Sequence, residues 1–177
     1  VEEGRHFLQD TLNDMADPFL MDGMETAVRR LKQAVEDKER IVIYGDYDVD
    51  GITSTSLVYS VLRDLGASPQ FYIPERQSEG YGLNEEALQH LEHEADVLIT
   101  VDCGISSYEL VREFSPHLDI IITDHHEPPE KIPPALAVLN PKKPGCPYPF
   151  KELAGAGVAY VLCRALWQRC CNEDLAG

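Results

Sequence analysis

The sequence has little positive charge, few aromatic residues and no long apolar run. Its 177 residues include 15 Lys and Arg against 31 Asp and Glu, a formal net charge of −16. This balance is the reverse of the basic surface that lets a protein bind nucleic acid unaided, so an anionic substrate would need neutralisation at its site. No stretch approaches the length of a membrane-spanning helix. The remaining composition, 44% hydrophobic and 8% aromatic, suits one globular domain with a sizeable core.

The cysteines also lack the patterns that would give them a structural role. None forms a CxxC pair or a zinc-type spacing, which excludes the common zinc modules. Their odd number, five, and the absence of a signal-like segment favour reduced thiols and a cytoplasmic location. Because the first residue is Val rather than Met, we expect a fragment or a processed chain.

Apolar, β-branched runs alternate with amphipathic segments along the chain. Strands are predicted at 40–44, 70–74, 96–101, 119–123 and 135–141, and helices at 24–39, 54–67, 84–95, 106–114 and from about 158. Thr53 or Ser54 is the predicted cap of the second helix. The runs VLITV and DIIIT are apolar throughout, as in parallel strands covered on both faces. We therefore expect a doubly wound α/β domain, with a mainly parallel sheet of about five strands and helices on both faces.

The stretch GDYDVDGITSTSL places three acids at alternate positions. Asp46, Asp48 and Asp50 precede Gly51, a pattern that resembles the first half of an EF-hand calcium loop. The twelfth position of such a loop should be Glu but is Leu57, and a predicted strand rather than a helix precedes the acids. The acids therefore follow the end of a strand.

Further acids and two histidines follow other predicted strands. Asp102 follows the third strand, and Asp124, His125 and His126 follow the fourth. Open parallel sheets bind ligands beyond the carboxyl ends of their strands. An Asp in a turn is usually a cap, and a lone His usually forms a structural hydrogen bond. Five acids gathered with two imidazoles would repel one another unless a cation compensates them, so the sequence predicts a metal site.

The donor types indicate which metal to expect. Carboxylates with one or two imidazoles and no thiolate suit Mn²⁺ or Mg²⁺ better than structural zinc. Acids from separate strands can bridge two ions, and a two-ion centre activates water and stabilises the oxygens of a phosphoryl displacement. We therefore predict a centre of two Mn²⁺ or Mg²⁺ ions that acts on phosphate esters.

Two segments are weaker candidates for substrate contacts. In IPERQSEGYG, Arg76 could contact phosphate and Tyr81 could stack on a base, although both could be ordinary exposed residues. In ELAGAGVAY, Gly155 and Gly157 precede a helix, which indicates either an anion cradle or close helix packing. Cys103 has no base placed to activate it, so we interpret it as a packing residue.

The motifs YGDYDVDG, VDCGIS and TDHH, in this order, resemble those of the DHH phosphoesterase superfamily. The segments DPFLMDGM, IPERQSEGYGLN and LNPKKPGCPYPFKELAGAGVAY extend the resemblance to its RecJ family of single-strand-specific 5′-to-3′ DNA exonucleases, over nearly the whole chain. The resemblance implies a metal-dependent hydrolase of DNA repair and recombination, with single-stranded DNA as its substrate.

The resemblance also implies a role for each residue that matches a motif. The implied metal ligands are Asp48, Asp50, Asp102 and His125, with Asp46 as a ligand or a close neighbour of one. His126 would face the scissile phosphate, and Asp124 would orient an imidazole.

The sequence departs from the family pattern in two respects. Tyr44 stands where many members have a histidine, so one family ligand is absent. The fourth acidic motif and the DHHA1 domain of the natural chain would lie beyond residue 177. We therefore expect a helical lead-in over residues 1–40 and a DHH catalytic domain over 41–177 that is weak or inactive by itself.

Two other functions stay open from the motifs alone. The chain could be a DHH enzyme for short oligonucleotides, cyclic dinucleotides or pyrophosphate, against which the segments 73–84 and 139–160 argue. It could also be a non-catalytic scaffold that binds other replication or repair proteins. A scaffold would be expected to lose acids, and the first three motifs keep theirs.

Overall fold

Helices and parallel strands alternate in the computed structural model, which describes residues 15–75, 82–173 and 175. A short 3-10 turn, Pro18–Leu20, precedes the first helix. The helices are α1 (Met24–Asp37), α2 (Val49–Asp64), α3 (Glu85–Glu94), α4 (Tyr108–Phe114) and α5 (Gly155–Cys171). The strands are β1 (Ile41–Gly45), β2 (Gln70–Tyr72), β3 (Val97–Val101), β4 (Asp119–Thr123) and β5 (Ala137–Leu139).

The five strands form one all-parallel sheet in the order β2-β1-β3-β4-β5. The direction of winding reverses between β1 and β3, so the helices cover both faces, and the doubly wound α/β prediction is confirmed. The register pairs the last residues of the strands: Gly45 with Val101, Val101 with Thr123, and Thr123 with Leu139. The residues that follow these strands therefore lie side by side.

The core has two layers, one on each face of the sheet. Ile41, Ile43 and Ile99 pack with α1, α2 and α5, whereas Val42 and Leu98 pack with α3 and α4. Burial on both faces explains why the strand sequences are apolar throughout. Within the described residues, no helix has both the length and the apolar character needed to cross a membrane.

Helix α2 begins five residues earlier than the sequence indicates, so the predicted cap was wrong. The cap is Asp48, whose Oδ1 accepts hydrogen bonds of 2.9 Å from two amides of the first turn. Thr53 and Ser54 instead lie inside the helix, where their hydroxyls donate to carbonyls one turn earlier. The acidic loop is therefore itself the start of a helix.

All five cysteines are free, and Cys103, Cys146 and Cys163 are buried. Burial raises the pKa of Cys163 to about 12. Burial and then the neighbouring acids, Asp124 first, raise the pKa of Cys103 well above its usual value. A thiol with a raised pKa is a poor nucleophile, which agrees with the interpretation of Cys103 as a packing residue.

Candidate metal centre

Three buried aspartates lie together at the carboxyl edge of the sheet. Asp46, Asp102 and Asp124 directly follow β1, β3 and β4, and their exposed fractions are 3%, 2% and 1%. Strands β1 and β3 flank the point where the winding reverses, which is where open parallel sheets bind ligands. The fold therefore gathers these acids at its expected binding edge.

Two groups of side chains have the spacing of metal ligands, with one donor atom per residue and all donors within 4.8 Å of one another. One group is Asp46, Asp48 and Asp102, and the other is Asp102, His125 and His126. Asp102 belongs to both, so its carboxylate lies where it could bridge two ions. His125 Nε2 is 3.2 Å from Asp102 Oδ1, close to the ~3 Å that separates two donors at right angles around one cation at ~2.1 Å.

Asp102 is the most strained and least satisfied of these acids. Its backbone is left-handed, with φ of 61°, a conformation that Asp tolerates better than most residues. Burial, followed by the charges of Asp50, Asp48, Asp124 and Asp46, raises its pKa to about 8. Its Oδ1 is buried and accepts no hydrogen bond from the described residues.

A divalent cation would correct both deficits of Asp102. An unsatisfied buried oxygen costs about 1–3 kcal/mol, and clustered carboxylates repel one another. A cation would supply the missing partner and the missing positive charge. Because the donors are carboxylate oxygens and imidazole nitrogens without thiolate, the residues present fit Mn²⁺ or Mg²⁺.

Asp124 orients His126. Its Oδ1 lies 2.8 Å from His126 Nδ1 and accepts hydrogen bonds from the amides of His125 and His126, while Oδ2 accepts one from the amide of Ile105. This pairing orients the ring of His126. His126 is also the more exposed of the two histidines, at 46% of its side chain against 26% for His125.

Asp50 joins the acidic loop to the start of α5. Its two carboxylate oxygens accept hydrogen bonds from the amides of Gly155, at 2.7 Å, and Ala156, at 2.6 Å. Its Oδ2 also lies 3.6 Å from His125 Nε2. Because this cap comes from a residue far away in the sequence, α5 begins at Gly155 rather than near residue 158, where we expected it.

The two glycines of this segment have observed packing contacts. A Cβ on Gly155 would lie 2.7 Å from Cγ of Asp102, and one on Gly157 would lie 3.0 Å from Cδ2 of Leu153. The Gly155 amide is already bonded to Asp50. Both alternatives left open by the sequence therefore have a contact here: the Gly155 amide holds a carboxylate, and neither glycine has room for a Cβ.

Two helix N-termini provide the positive charge that side chains do not. Within the described ranges, Asp48, Asp50, Asp102 and Asp124 have no Lys or Arg at ion-pair distance; His125 lies near Asp50 and Asp102, and His126 lies near Asp124. Asp48 caps α2 and Asp50 caps α5, so the positive ends of both helix dipoles face the acids.

Asn140 is a residue of the site that the sequence patterns did not indicate. Asn140 directly follows β5, is fully buried, and donates a hydrogen bond of 2.9 Å from Nδ2 to the carbonyl of His126. The predicted strand at 135–141 placed Asn140 inside the strand, whereas β5 ends at Leu139 and leaves Asn140 at the edge where the acids lie. Arg76 and Tyr81 lie outside the described residues.

Tyr44 has a structural role at the position where the family pattern has a histidine. It is buried in the core layer under α3 and α4. Its hydroxyl donates to the carbonyl of Gly82 at 2.9 Å and accepts a hydrogen bond from Asn84 at 3.1 Å. Tyr44 therefore anchors the segment that leads into α3.

Comparisons with known proteins match this geometry. The family model described as "DHH family, N-terminal domain" matches residues 40–176. The single-stranded-DNA-specific exonuclease RecJ of Bacillus subtilis (strain 168) is 49% identical over 170 residues, which cover 94% of this chain and 21% of that protein. The chain thus spans about a fifth of the length of this relative.

Solved structures show the same fold with a metal. The crystal structure of exonuclease RecJ bound to manganese matches with a TM-score of 0.78 and 37% identity, covering 84% of this chain and 38% of that one. The structure of RecJ in complex with Mn²⁺ from Thermus thermophilus matches with a TM-score of 0.72 and 34% identity, covering 84% and 21%.

Proposed function

Because the chain belongs to the DHH family, we propose that it is a metal-dependent phosphodiesterase that removes nucleotides from the 5′ end of single-stranded DNA. Its homology to RecJ exonucleases supports the substrate. The observation that carries the proposal is Asp102, a buried carboxylate that is shared by two donor groups and has one unsatisfied oxygen. We place residues 41–177 in the catalytic domain.

The proposed ligands of two Mn²⁺ or Mg²⁺ ions are Asp46, Asp48, Asp50, Asp102 and His125. Asp50 can serve as both cap and ligand, because each carboxylate oxygen has a second lone pair. When bound, such ions lower the pKa of a water molecule to form the nucleophile and neutralise the phosphate. Asp102 is the ligand common to both donor groups. The neighbouring acids supply the remaining negative charge that attracts the cations.

His126 is the proposed proton-handling residue at the scissile phosphate. Asp124 binds Nδ1 and fixes the tautomer, and Asn140 fixes the backbone of His126 from the other side. The remaining nitrogen, Nε2, can then donate a hydrogen bond or move a proton at a phosphate oxygen. Arg76 and Tyr81 are proposed to contact the substrate.

The proposed setting is DNA repair and recombination in the cytoplasm, where the five free thiols would stay reduced. The proposed partners are single-stranded DNA, a DHHA1 domain of the same natural chain, and other replication or repair proteins. The net charge of −16 agrees with a need for a further basic surface around the substrate.

The test is Mn²⁺-dependent release of nucleotides from single strands labelled at either end. We expect slow release that begins at the 5′ end, with none from duplex DNA, and we expect Asp102→Asn to abolish it. Asp96→Asn, which removes an acid at the opposite end of β3, is the control and should keep the wild-type rate. Cleavage of dinucleotides without cleavage of long strands would favour the small-substrate alternative. Because the domain is expected to be weak by itself, the same assay is run on a version extended through the fourth motif and the DHHA1 domain, and no Mn²⁺-dependent hydrolysis by that version would overturn the proposal.

A further inference from the structure

A basic cleft lies beside the acidic centre. It has a volume of about 740 Å³, and its lining includes Glu127, Lys142, Lys143, Cys146, Lys151 and Glu152. We call it the lysine cleft, because three of the six lysines of the chain line it. Residues 140–151 contain these three lysines and no acid, a local exception in a chain with a net charge of −16.

The lysine cleft is joined to the centre through one residue. The side chain of Asn140 donates to the carbonyl of His126 at 2.9 Å and accepts a hydrogen bond of 2.8 Å from the amide of Lys142. Glu127, which follows His126, lines the same cleft. A polymer bound in the cleft would therefore pass next to His126.

The lysine side chains are held in place without using all their donors. Lys151 Nζ donates to the carbonyl of Cys146 at 2.6 Å, and Lys142 Nζ lies 3.8 Å from Glu152. An ammonium has three N–H donors, so both lysines can still bind an anion. Four prolines and the buried Tyr148 restrict the loop 140–151, which reduces the entropy lost when a ligand binds.

An exposed aromatic ring is the sequence neighbour of one of the cleft lysines. Phe150 precedes Lys151 and is 57% exposed. Proteins that bind single-stranded nucleic acids combine basic grooves for the phosphates with aromatic rings on which bases stack. Free phosphate would use the lysines alone, whereas a single strand would use the lysines and Phe150.

We propose that the lysine cleft and Phe150 bind the phosphate backbone and one base of the single-stranded DNA that enters the centre. This inference rests on the proposed function, because the bound strand is the substrate of that centre. The two features are tested separately, each with a matched control.

The charge test compares two double variants. Lys142→Gln with Lys151→Gln changes the cleft, and Lys32→Gln with Lys38→Gln is the control. The control pair makes the same contacts elsewhere: Lys32 lies 3.8 Å from Glu36, and Lys38 Nζ donates to a backbone carbonyl at 2.8 Å. Lys143 is left intact because it bonds Asp22 and the carbonyl of Val138.

The readout is binding of a cleavage-resistant phosphorothioate oligothymidylate, measured by fluorescence anisotropy with Mn²⁺ across a salt series. Each lysine that neutralises a phosphate of a single strand contributes about 0.7 to the slope of log K against log salt. We expect the cleft variant to lose about 1.4 of this slope and about tenfold or more in affinity at low salt. The control should keep the wild-type slope.

The stacking test compares Phe150→Leu with Phe71→Leu, whose ring is similarly exposed at 60% but lies on β2. Phe150→Leu should weaken binding about tenfold with no change in salt slope, since stacking involves no counterion. Phe71→Leu should bind like the wild type.

Equal slopes in the two double variants would overturn the proposal, as would inorganic phosphate that binds as tightly as the oligonucleotide. Failure of the proposed function would be detected by other measurements: the wild type would show no Mn²⁺-induced rise in melting temperature and no hydrolysis of bis(p-nitrophenyl) phosphate. The comparison of salt slopes thus tests whether the lysine cleft binds DNA, and the Mn²⁺ response tests whether the acidic centre binds metal.

Discussion

Two aspartates that bracket β3 differ sharply in their electrostatics. Asp96 precedes the strand and is bound by Arg40, with Nη2 to Oδ1 at 2.7 Å, and hydrogen bonds from Arg40 lower its pKa to about 2. Asp102 follows the strand, and burial and four neighbouring carboxylates raise its pKa to about 8. One strand thus joins a neutralised acid to an acid that lacks a counter-charge.

The same contrast extends along both ends of the sheet. At the amino end, Asp119 at the start of β4 pairs with Arg30, which also bonds Glu39. At the carboxyl end, Asp50, Asp102 and Asp124 have no Lys or Arg at ion-pair distance within the described residues, and their neighbours are imidazoles and helix N-termini. Arginines thus neutralise the acids at the amino end of the sheet. At the carboxyl end, where a metal cation is expected to bind, no arginine of the described residues pairs with Asp50, Asp102 or Asp124.

The largest expected effect comes from removing the shared ligand. Asp102→Asn should abolish the rise in melting temperature caused by Mn²⁺ and reduce hydrolysis about a thousandfold or more, because a lost metal costs several kcal/mol of transition-state stabilisation. Asp96→Asn should keep both responses. Melting curves with Mn²⁺ and with chelator check this, and equal Mn²⁺ shifts in wild type and Asp102→Asn would contradict it.

The two adjacent histidines should divide their roles. We expect His126→Ala to lower turnover about a hundredfold or more while it keeps most Mn²⁺ affinity, because general acid–base groups contribute rates of that order. His125→Ala should lower both turnover and affinity, since its Nε2 lies next to Asp102. Calorimetric Mn²⁺ titration separates the two, and identical losses of affinity would disprove the division.

The two ends of β3 should respond to pH in opposite directions. The pKa of Asp102 is raised on folding, so its contribution to the stability of the metal-free protein is present below its unfolded pKa and lost as pH rises through about 8. The pKa of Asp96 is lowered, so its contribution is lost as pH falls through about 2.

Urea midpoints measured in chelator test this contrast. Between about pH 5 and pH 9, the wild type should lose stability and Asp102→Asn should lose much less, because the amide does not ionise. Asp96→Asn should run parallel to the wild type in this range, offset by the lost Arg40 pair, and approach it only in acid, where the wild type loses that pair as well. Parallel profiles for wild type and Asp102→Asn would show that the burial of Asp102 has no thermodynamic consequence.

A smaller effect is expected from the cap that Asp50 provides. Asp50→Ala should destabilise the metal-free protein by about 1 kcal/mol, the usual cost of a lost helix cap. Asn84→Ala is the matched control, because Asn84 caps α3 by accepting a 2.8 Å hydrogen bond from the amide of Ala87. Both variants should lose similar stability, but only Asp50→Ala should reduce the Mn²⁺ shift. Equal Mn²⁺ shifts would confine Asp50 to a structural role.

The smallest effect should come from breaking an arginine pair. Arg40→Gln removes the partner of Asp96, and both side chains are largely exposed, so we expect at most about 1 kcal/mol of destabilisation. The Mn²⁺ shift should stay at the wild-type value. A change in that shift would mean that the two ends of the sheet are coupled through β3.

The sequence was most informative where a feature depends on residues that are close in the sequence, and least informative where it depends on contacts between distant residues. The apolar runs predicted the strands, and the acids after them predicted which side chains meet at the edge of the sheet. The start of α5 could not be predicted, because its cap is Asp50. The cap of α2 was misplaced for a related reason: Asp48, read only as a ligand, also bonds two amides of the first turn. Asn140 was missed because its role depends on the carbonyl of a residue on another loop.

The contact between Asp50 and the start of α5 has a consequence for the order of folding. The two partners are 105 residues apart, so during synthesis at about 5–20 residues per second the first acids wait at least about 5 s for their capping amides. Until α5 docks, the loop that carries Asp46, Asp48 and Asp50 lacks its long-range support. The finished metal centre is thus among the last parts of the domain to form, and Mn²⁺ affinity can serve as a measure of how much of a nascent chain has reached its native structure.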